Sequence, residues 1–197
     1  MTDSEPAEHR ALPPGQKVLP GLKVQHYGPV PRFRPDSWSL TVNGETATGE
    51  PTIFDVASFA ELPRTRVTGD LHCATGWSAV DNVWEGVSAR TLLDLVPPSS
   101  TATHVMAWAE YGYSATLRME DFASPRAVLA THHNGEVLTP EHGYPLRLVV
   151  PHLYAWKGPK WLRWIEYISE PRRGFWEERG YHVVGDAWRE ERHSYLE

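Results

Sequence analysis

Seventeen prolines are spread along the 197 residues of this chain, and they limit its helices to short segments. Proline lacks a backbone N–H and clashes with the preceding helical turn, so it ends helices and is confined in sheets to edges and strand ends. Between the prolines, short runs of alternating apolar and polar residues are typical of β-strands. The sequence therefore predicts an α+β fold that is mixed and strand-rich, with a few short helices.

The local patterns place several elements along the chain. Ser88 is a suitable N-cap for a helix over 89–96, and Thr52 is a suitable N-cap for a short helix that Pro63 closes. Asn43-Gly44 and the turn at 133–136 are hairpin signals. Strands are expected at 37–42, 64–73, 104–108, 127–131, 146–150 and 160–168, the last of which is also compatible with a helix.

The domain organisation is expected to be simple. Residues 1–22 are rich in proline and polar groups, and we expect them to form an extended N-terminal arm. Residues 23–197 contain no repeat, low-complexity tract or linker, and we expect them to form a single domain. The tail over 174–188 is too aromatic to be disordered, so it should pack back on this domain.

Charge and hydropathy restrict the partners. The net charge of −6 argues against a nucleic-acid surface, which needs clustered lysines and arginines. No apolar run reaches the roughly 18–20 residues that span a bilayer, so the chain is not expected to cross a membrane. The first residues, MTDSEPAEHRALPPGQ, show no export signal, and we therefore expect a cytoplasmic protein.

The single cysteine, Cys73, lies in the segment HCATGWS and cannot form an internal disulfide. Three interpretations stay open from the residues alone: a buried inert thiol, the nucleophile of a thiol-dependent hydrolase with a histidine base, or a metal ligand. The ten histidines show no spacing typical of a metal site of their own.

A second cluster surrounds Arg147, which lies in the otherwise apolar run LRLVV. A guanidinium in such a strand is costly unless it meets an anion, which is either a structural carboxylate or a ligand phosphate. Lys157, Gly158 and Lys160 follow in a loop that could surround an anionic group, where glycine lets the backbone approach closely.

These clusters carry a resemblance to a known family. In chain order the matching stretches are HYGPVPRFRPDSWSLTVNG, DLHCATGWSAVDNVWEGVSARTLLDL, HNGEVLTPEHGYPLRLVVPHLYAWKGPKWLRWIEY and GFWEERGYHVVGDAWREERHSY, which together span about residues 24–195. The chain resembles the sulfite oxidase superfamily of molybdopterin-dependent oxidoreductases, in its small single-domain bacterial branch. The resemblance implies the molybdopterin-binding sulfite-oxidase fold and a molybdenum-molybdopterin (Mo-MPT) cofactor.

The resemblance also implies roles for particular residues. Cys73 resembles the catalytic thiolate that binds molybdenum, and a soft anionic sulfur suits that metal. The residues that match the family's cofactor-binding positions are Gln25, His26, Tyr27, Glu110, His142, Arg147, Gly158, Pro159 and Lys160. Candidate lining residues of an access funnel are Trp77, Trp84, Tyr113 and Trp156, for which plain core packing is the alternative. Arg118 is compatible with an anionic-substrate contact or with a solvated charge.

The implied reaction is a two-electron oxygen-atom transfer on a small substrate, either a sulfite-like anion or an S- or N-oxide. Ala74 to Ser78 follow the cysteine where animal and plant sulfite oxidases place arginines, and this resembles the bacterial methionine-sulfoxide-reductase-type branch instead. The sequence contains no haem-attachment motif, so electrons are expected to pass to or from a separate partner. A non-catalytic molybdopterin-binding protein and the thiol-dependent hydrolase remain the alternatives.

Overall fold

Short strands dominate the computed structural model, which describes residues 11–197. The strands are β1 Lys17–Val18, β2 Ser39–Gly44, β3 Thr52–Asp55, β4 Arg64–Thr68, β5 Leu71–Cys73, β6 Trp77–Ala79, β7 Val83–Ser88, β8 His104–Ala109, β9 Ser114–Arg118, β10 Val128–His133, β11 Glu136–Val137, β12 Arg147–Val149 and β13 Leu162–Ile168. The α-helices are α1 Val56–Ala60, α2 Ala89–Leu95 and α3 Met119–Phe122. The predicted mixed, strand-rich α+β class is confirmed.

The strands of this described part form three sheets. The first sheet has the order β3-β2-β13-β8-β9, in which β2 and β13 are parallel and the other pairs are antiparallel. The second sheet has the order β11-β10-β7-β4, with β12 also paired to β10. The third, smaller sheet has the order β1-β6-β5 and carries the cysteine at its end.

Strand β10 shows how the core is divided between the layers. Leu129 belongs to the main hydrophobic cluster, which also contains Leu40 and Ile165 of the first sheet. Val128 and Ala130 point to the opposite face and belong to a second cluster, together with residues of the third sheet. Successive side chains of a strand alternate between faces, so β10 is buried on both sides and lies between two apolar layers.

The expected helix beginning at Thr52 is wrong. Residues Thr52–Asp55 form β3 and pair with β2, and the helix begins only at Val56. Asp55 is its N-cap, accepting a hydrogen bond from the backbone N–H of Ser58 at 2.8 Å. The hairpin expected at Asn43-Gly44 is also displaced, because β2 continues its parallel pairing with β13 through Gly44. Pairing with neighbouring strands decided both cases against the local signals.

The expected strand over 64–73 divides into β4 and β5, which belong to different sheets. Gly69 lies in the break, and a Cβ there would stand 2.5 Å from the side chain of Pro151. The indole N–H of Trp84 donates to the Gly69 carbonyl at 3.0 Å, which holds the chain in this bend. Close packing of a loop therefore interrupts a pattern that is locally continuous.

Other predicted elements are confirmed. Ser88 caps α2 by accepting from the N–H of Arg90, the turn at Asn134-Gly135 joins β10 to β11, and Leu162–Ile168 is a strand rather than a helix. Of the expected arm, residues 1–10 lie outside the described residues, and in the remainder β1 pairs in parallel with Trp77–Ser78. No helix in residues 11–197 combines the length and apolarity needed to cross a membrane.

Candidate functional site

A cavity of about 660 Å³ opens beside the third sheet. Its walls come from five parts of the chain: the segment 22–29, the segment 71–77, the turn after β8, the segment from His142 to Trp161, and the tail. Cys73 and Arg147, the two residues that the sequence singled out most strongly, both line it. The fold therefore brings together residues that are 74 positions apart in one concave site.

Cys73 ends β5, and a tight turn follows it. The backbone N–H of Gly76 donates to the Cys73 carbonyl at 3.0 Å, and Gly76 adopts a φ of +90°. The turn leaves the thiol half-buried, with its Sγ 3.2 Å from Thr75 Oγ1 and 3.4 Å from Gln25 Oε1. The sulfur is thus presented to the cavity and is not sealed in the core.

Arg147 is the buried cation of this site. Only 5% of its surface is exposed, and it lies over the Trp84 ring at 5.2 Å. One terminal nitrogen donates to the His142 carbonyl at 3.1 Å, whereas Nε has no partner among the described residues. Desolvation lowers the pKa of Arg147 to about 10. A buried guanidinium that meets no carboxylate in the described chain is expected to meet an anionic ligand.

Lys160 provides a second positive group on the same wall. Its Nζ donates to the backbone carbonyls of Gln25 at 2.5 Å and Glu141 at 2.8 Å. Burial, and secondarily the charge of Arg147, lowers the pKa of Lys160 to about 7. Gly143, at a φ of +112°, packs so closely that a Cβ would stand 3.0 Å from the Arg147 Cβ. The two cations therefore share a tightly packed cradle.

Two further buried donors face no partner. The indole N–H groups of Trp77 and Trp156 have no hydrogen-bond acceptor in the described structure, and both residues line the cavity. Buried polar groups are normally satisfied, so orphaned donors in a cavity wall indicate a ligand with acceptor atoms. Together with the cationic cradle, they fit a polar, anionic cofactor.

The structure places the remaining predicted residues as follows. Gln25, His26, Tyr27, Glu110, His142 and Gly158 line the cavity, as do Trp77, Tyr113 and Trp156 of the expected funnel. Pro159 does not line it, and its carbonyl instead accepts from the N–H of Leu148 at 3.0 Å. The Glu110 carboxylate is held at 2.5 Å by Arg163.

Three expectations are corrected. Trp84 is fully buried beneath Arg147 and does not line the cavity, because it belongs to the second core cluster. Lys157 also lies outside the cavity wall and forms a buried ion pair with Glu177 instead. Arg118 pairs with Asp121 and Glu120, so it is a structural ion-pair partner here.

The tail supplies lining residues that the sequence analysis did not assign. Phe175, Trp176 and Tyr181 form an aromatic wall, with Trp176 and Tyr181 ring centroids 5.2 Å apart. Tyr27, from the other side of the chain, packs on Phe175 at 4.7 Å. The aromatic content of the tail was the signal for its packing, but its position beside the cavity depends on contacts that are distant in sequence.

No group of three histidine, cysteine or acidic side chains within residues 11–197 could hold a metal ion. A metal bound through Cys73 would therefore need most of its ligands from a cofactor. The cavity thus contains one thiol and a cationic cradle, a combination of groups that fits an anionic, metal-carrying cofactor.

Comparison with known proteins identifies the family of this chain. The model of the oxidoreductase molybdopterin-binding domain family matches residues 27–176. The chain therefore belongs to this family, and it is an oxidoreductase whose cofactor is molybdenum-molybdopterin. The predicted membership of the sulfite oxidase superfamily is confirmed.

Two relatives illustrate the match. The chain is 42% identical over 185 residues to the uncharacterized oxidoreductase YuiH of Bacillus subtilis, with 93% of this chain and 92% of that protein covered. It is 30% identical to the sulfite oxidase of Arabidopsis thaliana, with 80% of this chain but 49% of that protein covered. Among solved structures, the sulfane dehydrogenase SoxCD of Paracoccus pantotrophus shares the fold at a TM-score of 0.66 and 23% identity, over 74% of this chain and 42% of that one.

The low pKa of Lys160 leads to a testable pH dependence. In the cofactor-free protein, we expect sulfate to bind the cavity more tightly one pH unit below the pKa of about 7 than one unit above it. The ammonium charge is present below that pKa and is lost as the pH rises through it, whereas the sulfate charge stays constant. Isothermal titration calorimetry at the two pH values measures the difference.

The matched variant Lys160→Met should remove this pH dependence while leaving weaker, pH-independent binding to Arg147. Desolvation, and secondarily the charge of Arg147, lowers the pKa of His142, which reduces the contribution of His142 to this pH dependence. An unchanged pH profile in the Lys160→Met protein would contradict the assignment.

Proposed function

We propose that this protein catalyses a two-electron oxygen-atom transfer on a small substrate, with Cys73 as the protein ligand of molybdenum. One observation carries the proposal. The half-buried Cys73 thiol and the buried Arg147, whose Nε has no partner within residues 11–197, line the same cavity. A soft thiolate at one side and an unmatched cation at the other fit a metal-bearing, phosphate-bearing cofactor.

The residues of the chain divide the work of holding this cofactor. Arg147, Lys160 and His142 would bind its anionic end, and Gly158 lets this loop pack closely on β12, since a Cβ there would stand 2.4 Å from the Leu148 carbonyl oxygen. Pro159 positions this loop because its carbonyl accepts a hydrogen bond from the backbone N–H of Leu148 in β12. Gln25, His26 and Tyr27 would cover the cofactor from the N-terminal side, where the Lys160 ammonium bonds the Gln25 carbonyl.

Glu110 would contribute through its position more than through its charge. Arg163 binds its carboxylate at 2.5 Å and also donates to the Ser39 carbonyl at 2.9 Å. Glu110 is therefore held against the first sheet at the cavity wall.

Bound molybdenum-molybdopterin supplies the two-electron chemistry of the oxygen-atom transfer. The chain supplies the walls of the cavity in which the reaction would take place. The aromatic side chains of Tyr113, Trp156 and Tyr181 surround the cavity and reduce its contact with water. The Tyr113 hydroxyl donates to the Trp156 carbonyl at 2.6 Å, which fixes two of these walls to each other.

The atoms nearest the thiol favour a neutral substrate. Within residues 11–197, the polar groups that hydrogen-bond with Cys73 Sγ are the Gln25 amide and the Thr75 hydroxyl, and both are uncharged. The Thr75 hydroxyl and the NH2 group of the Gln25 amide are donors that can hydrogen-bond the oxygen of an S- or N-oxide without requiring a net negative charge. A relative at 26% identity, from Campylobacter jejuni, is named protein-methionine-sulfoxide reductase catalytic subunit. We therefore favour an S- or N-oxide over a sulfite-like anion.

Electron transfer would require a separate partner. The chain has one cysteine, which is assigned to the metal, so it cannot carry a CxxCH haem attachment of its own. A cytoplasmic location is part of the proposal, because a single unpaired cysteine fits a reducing compartment.

The contacts of the Cys73 thiol do not favour the hydrolase alternative. A thiol nucleophile needs a base within hydrogen-bond reach, and the hydrogen bonds of Cys73 Sγ in residues 11–197 involve Gln25 and Thr75 but no histidine. The ring of the neighbouring His72 is directed to the Ser78 hydroxyl at 2.8 Å.

The cofactor content tests the proposal directly. Protein purified from a molybdenum-supplied host that makes molybdopterin should contain about one molybdenum and one pterin per chain, since one thiol and one cradle define one site. Elemental analysis and the fluorescence of the oxidised pterin measure these ratios. The same protein should reduce a sulfoxide at the expense of a reduced dye.

The matched variants are Arg147→Met and Arg126→Gln. Arg147→Met removes the buried cation and should lower the pterin content severalfold. The Arg126 guanidinium donates to the Thr68 carbonyl and lies outside the cavity lining, so Arg126→Gln should leave the pterin content unchanged. Folded protein from that host with no molybdenum or pterin, or a pterin content that ignores Arg147, would contradict the proposal.

A further inference from the structure

A second cavity, of about 240 Å³, lies on the other side of the wall that Glu110 and Trp161 form. Both of these residues line the cofactor cavity as well, so the two cavities adjoin at Glu110 and Trp161. The other lining residues are Pro31, Arg32, Phe33, Arg34, Ser37, Trp38, Tyr144, Pro145 and Arg163. None of the residues assigned to the cofactor's anionic end lines this second cavity.

The charges around the second cavity are unbalanced. Arg32, Arg34 and Arg163 face one carboxylate, that of Glu110, and Arg163 already pairs with it. Arg32 and Arg34 are exposed, and their guanidinium groups have no hydrogen bond or ion pair with any residue in the described part of the chain. Two unmatched guanidiniums at one small cavity, in a chain of net charge −6, produce a local positive potential that attracts anions.

A buried donor in the same wall gives an independent indication. Trp38 is 6% exposed and lines the cavity, and its indole N–H has no acceptor within residues 11–197. Its ring packs edge-on against Phe59 at 5.9 Å and belongs to the main core cluster, so the indole is held in place. A buried donor without a partner is uncommon in a native fold and indicates an acceptor atom that is supplied from outside the chain.

The remaining walls are apolar and limit the size of the ligand. Phe33 and Tyr144 form an edge-to-face pair with ring centroids 4.9 Å apart, and Pro31 and Pro145 lie beside them. The volume of 240 Å³ lies below the range of about 300–1,000 Å³ that drug-sized ligands and cofactors occupy. The cavity therefore suits a small anion with a compact apolar part.

The wall between the cavities contains a strained residue. Trp161 has a φ of +58°, which is unfavourable for a bulky side chain, and its indole N–H donates to the Pro140 carbonyl at 2.8 Å. Such strain persists where the surrounding structure requires it, and it is concentrated at ligand sites. This position keeps the Trp161 ring between the two cavities.

We propose that the second cavity is a binding site for a small organic anion, either a carboxylate or a phosphate monoester. The charged group of this anion lies between Arg32 and Arg34 and accepts a hydrogen bond from the Trp38 indole N–H. Its apolar part contacts the Phe33–Tyr144 pair. The site is distinct from the cofactor cradle and does not depend on the reaction proposed above. The bound anion shares the Glu110–Trp161 wall with the cofactor.

Calorimetric titration of the cofactor-loaded protein with phenyl phosphate and with benzoate tests the site. In the loaded protein Arg147 and Lys160 would hold the cofactor and would therefore not be free to bind the probes. We expect saturable one-to-one binding of at least one probe, and the comparison of the two distinguishes a phosphate site from a carboxylate site. The double variant Arg32→Gln/Arg34→Gln should bind at least tenfold more weakly.

Two further variants sharpen the test. Trp38→Phe keeps the ring and removes only the N–H, so it should weaken binding severalfold with an unchanged circular dichroism spectrum. Arg66→Gln is the matched control, because Arg66 is an exposed arginine of β4 outside both cavities. The Arg66→Gln protein should bind the probes with the affinity of the parent protein. If Trp38→Phe fails to fold, the arginine variants decide. The absence of saturable binding, or equal affinities with and without Arg32 and Arg34, overturns the proposal, while the cofactor content remains a separate measurement.

Discussion

Replacement of Cys73 by serine is expected to abolish turnover and most of the molybdenum content while the protein stays folded. Loss of an outer-shell partner already costs a metal site about 10–100-fold, so loss of a direct ligand should lower dye-coupled turnover by at least about 100-fold. The fold should survive because the thiol is only half-buried at the end of β5, where serine has nearly the same shape. Elemental analysis, steady-state rates and thermal unfolding measure the three quantities.

The variant Thr75→Val provides the comparison for Cys73→Ser. It removes the hydroxyl that contacts Cys73 Sγ at 3.2 Å and keeps the sulfur itself, so molybdenum should remain bound while turnover falls by a smaller factor. A Cys73→Ser protein that retains full metal content and activity would show that the sulfur is not the ligand. If that variant unfolds while the parent contains no molybdenum, the inert-thiol interpretation is correct instead.

Replacement of Lys157 by methionine is expected to cause a large loss of stability. Lys157 and Glu177 have fully buried side chains, and Lys157 Nζ lies 2.5 Å from Glu177 Oε1 and 2.6 Å from the Val183 carbonyl. Desolvation lowers the pKa of Lys157, and the Glu177 carboxylate opposes that shift. Removal of one partner leaves an uncompensated buried carboxylate, which costs about 3–5 kcal/mol. Urea unfolding monitored by tryptophan fluorescence measures this loss.

The double variant Lys157→Met/Glu177→Gln isolates the cause. In the parent protein the backbone N–H of Thr116 donates to Glu177 Oε1 at 3.2 Å, and the amide oxygen of the new glutamine keeps this acceptor. The double variant no longer contains an unpaired buried charge. Most of the lost stability should therefore return, since replacing both members of a buried pair is often nearly neutral. A loss below about 1 kcal/mol in the single variant, typical of an exposed pair, would contradict the burial of this interaction.

The ion pair also has a consequence for the site. Lys157 follows Trp156, and Glu177 follows Trp176, so the pair joins two segments that each place a tryptophan in the cavity wall. The single variant should loosen the tail before it unfolds the sheets, because elements held by few long-range contacts open first.

Local patterns in the sequence predicted the class of fold and the position of several elements. The helix behind Ser88, the turn at Asn134-Gly135 and the apolar strand around Arg147 follow from capping, turn chemistry and periodicity over a few residues. The same kind of reasoning failed at Thr52 and at Gly69, where pairing with β2 and packing on Pro151 outweighed the local preference. The resemblance added residue roles, and the structure places most of those residues around one cavity.

Three features could not be obtained from local patterns because they depend on residues far apart in the chain. The aromatic wall of the tail, the Lys157–Glu177 pair and the second cavity between Arg34 and Trp161 all join such segments. The sequence by itself determined that short strands dominate, that one thiol is available, and that a guanidinium in an apolar strand needs an anion. Only the tertiary structure decided which side chains face that sulfur and that guanidinium, because burial and charge pairing arise from packing between elements, which periodicity along one element does not specify.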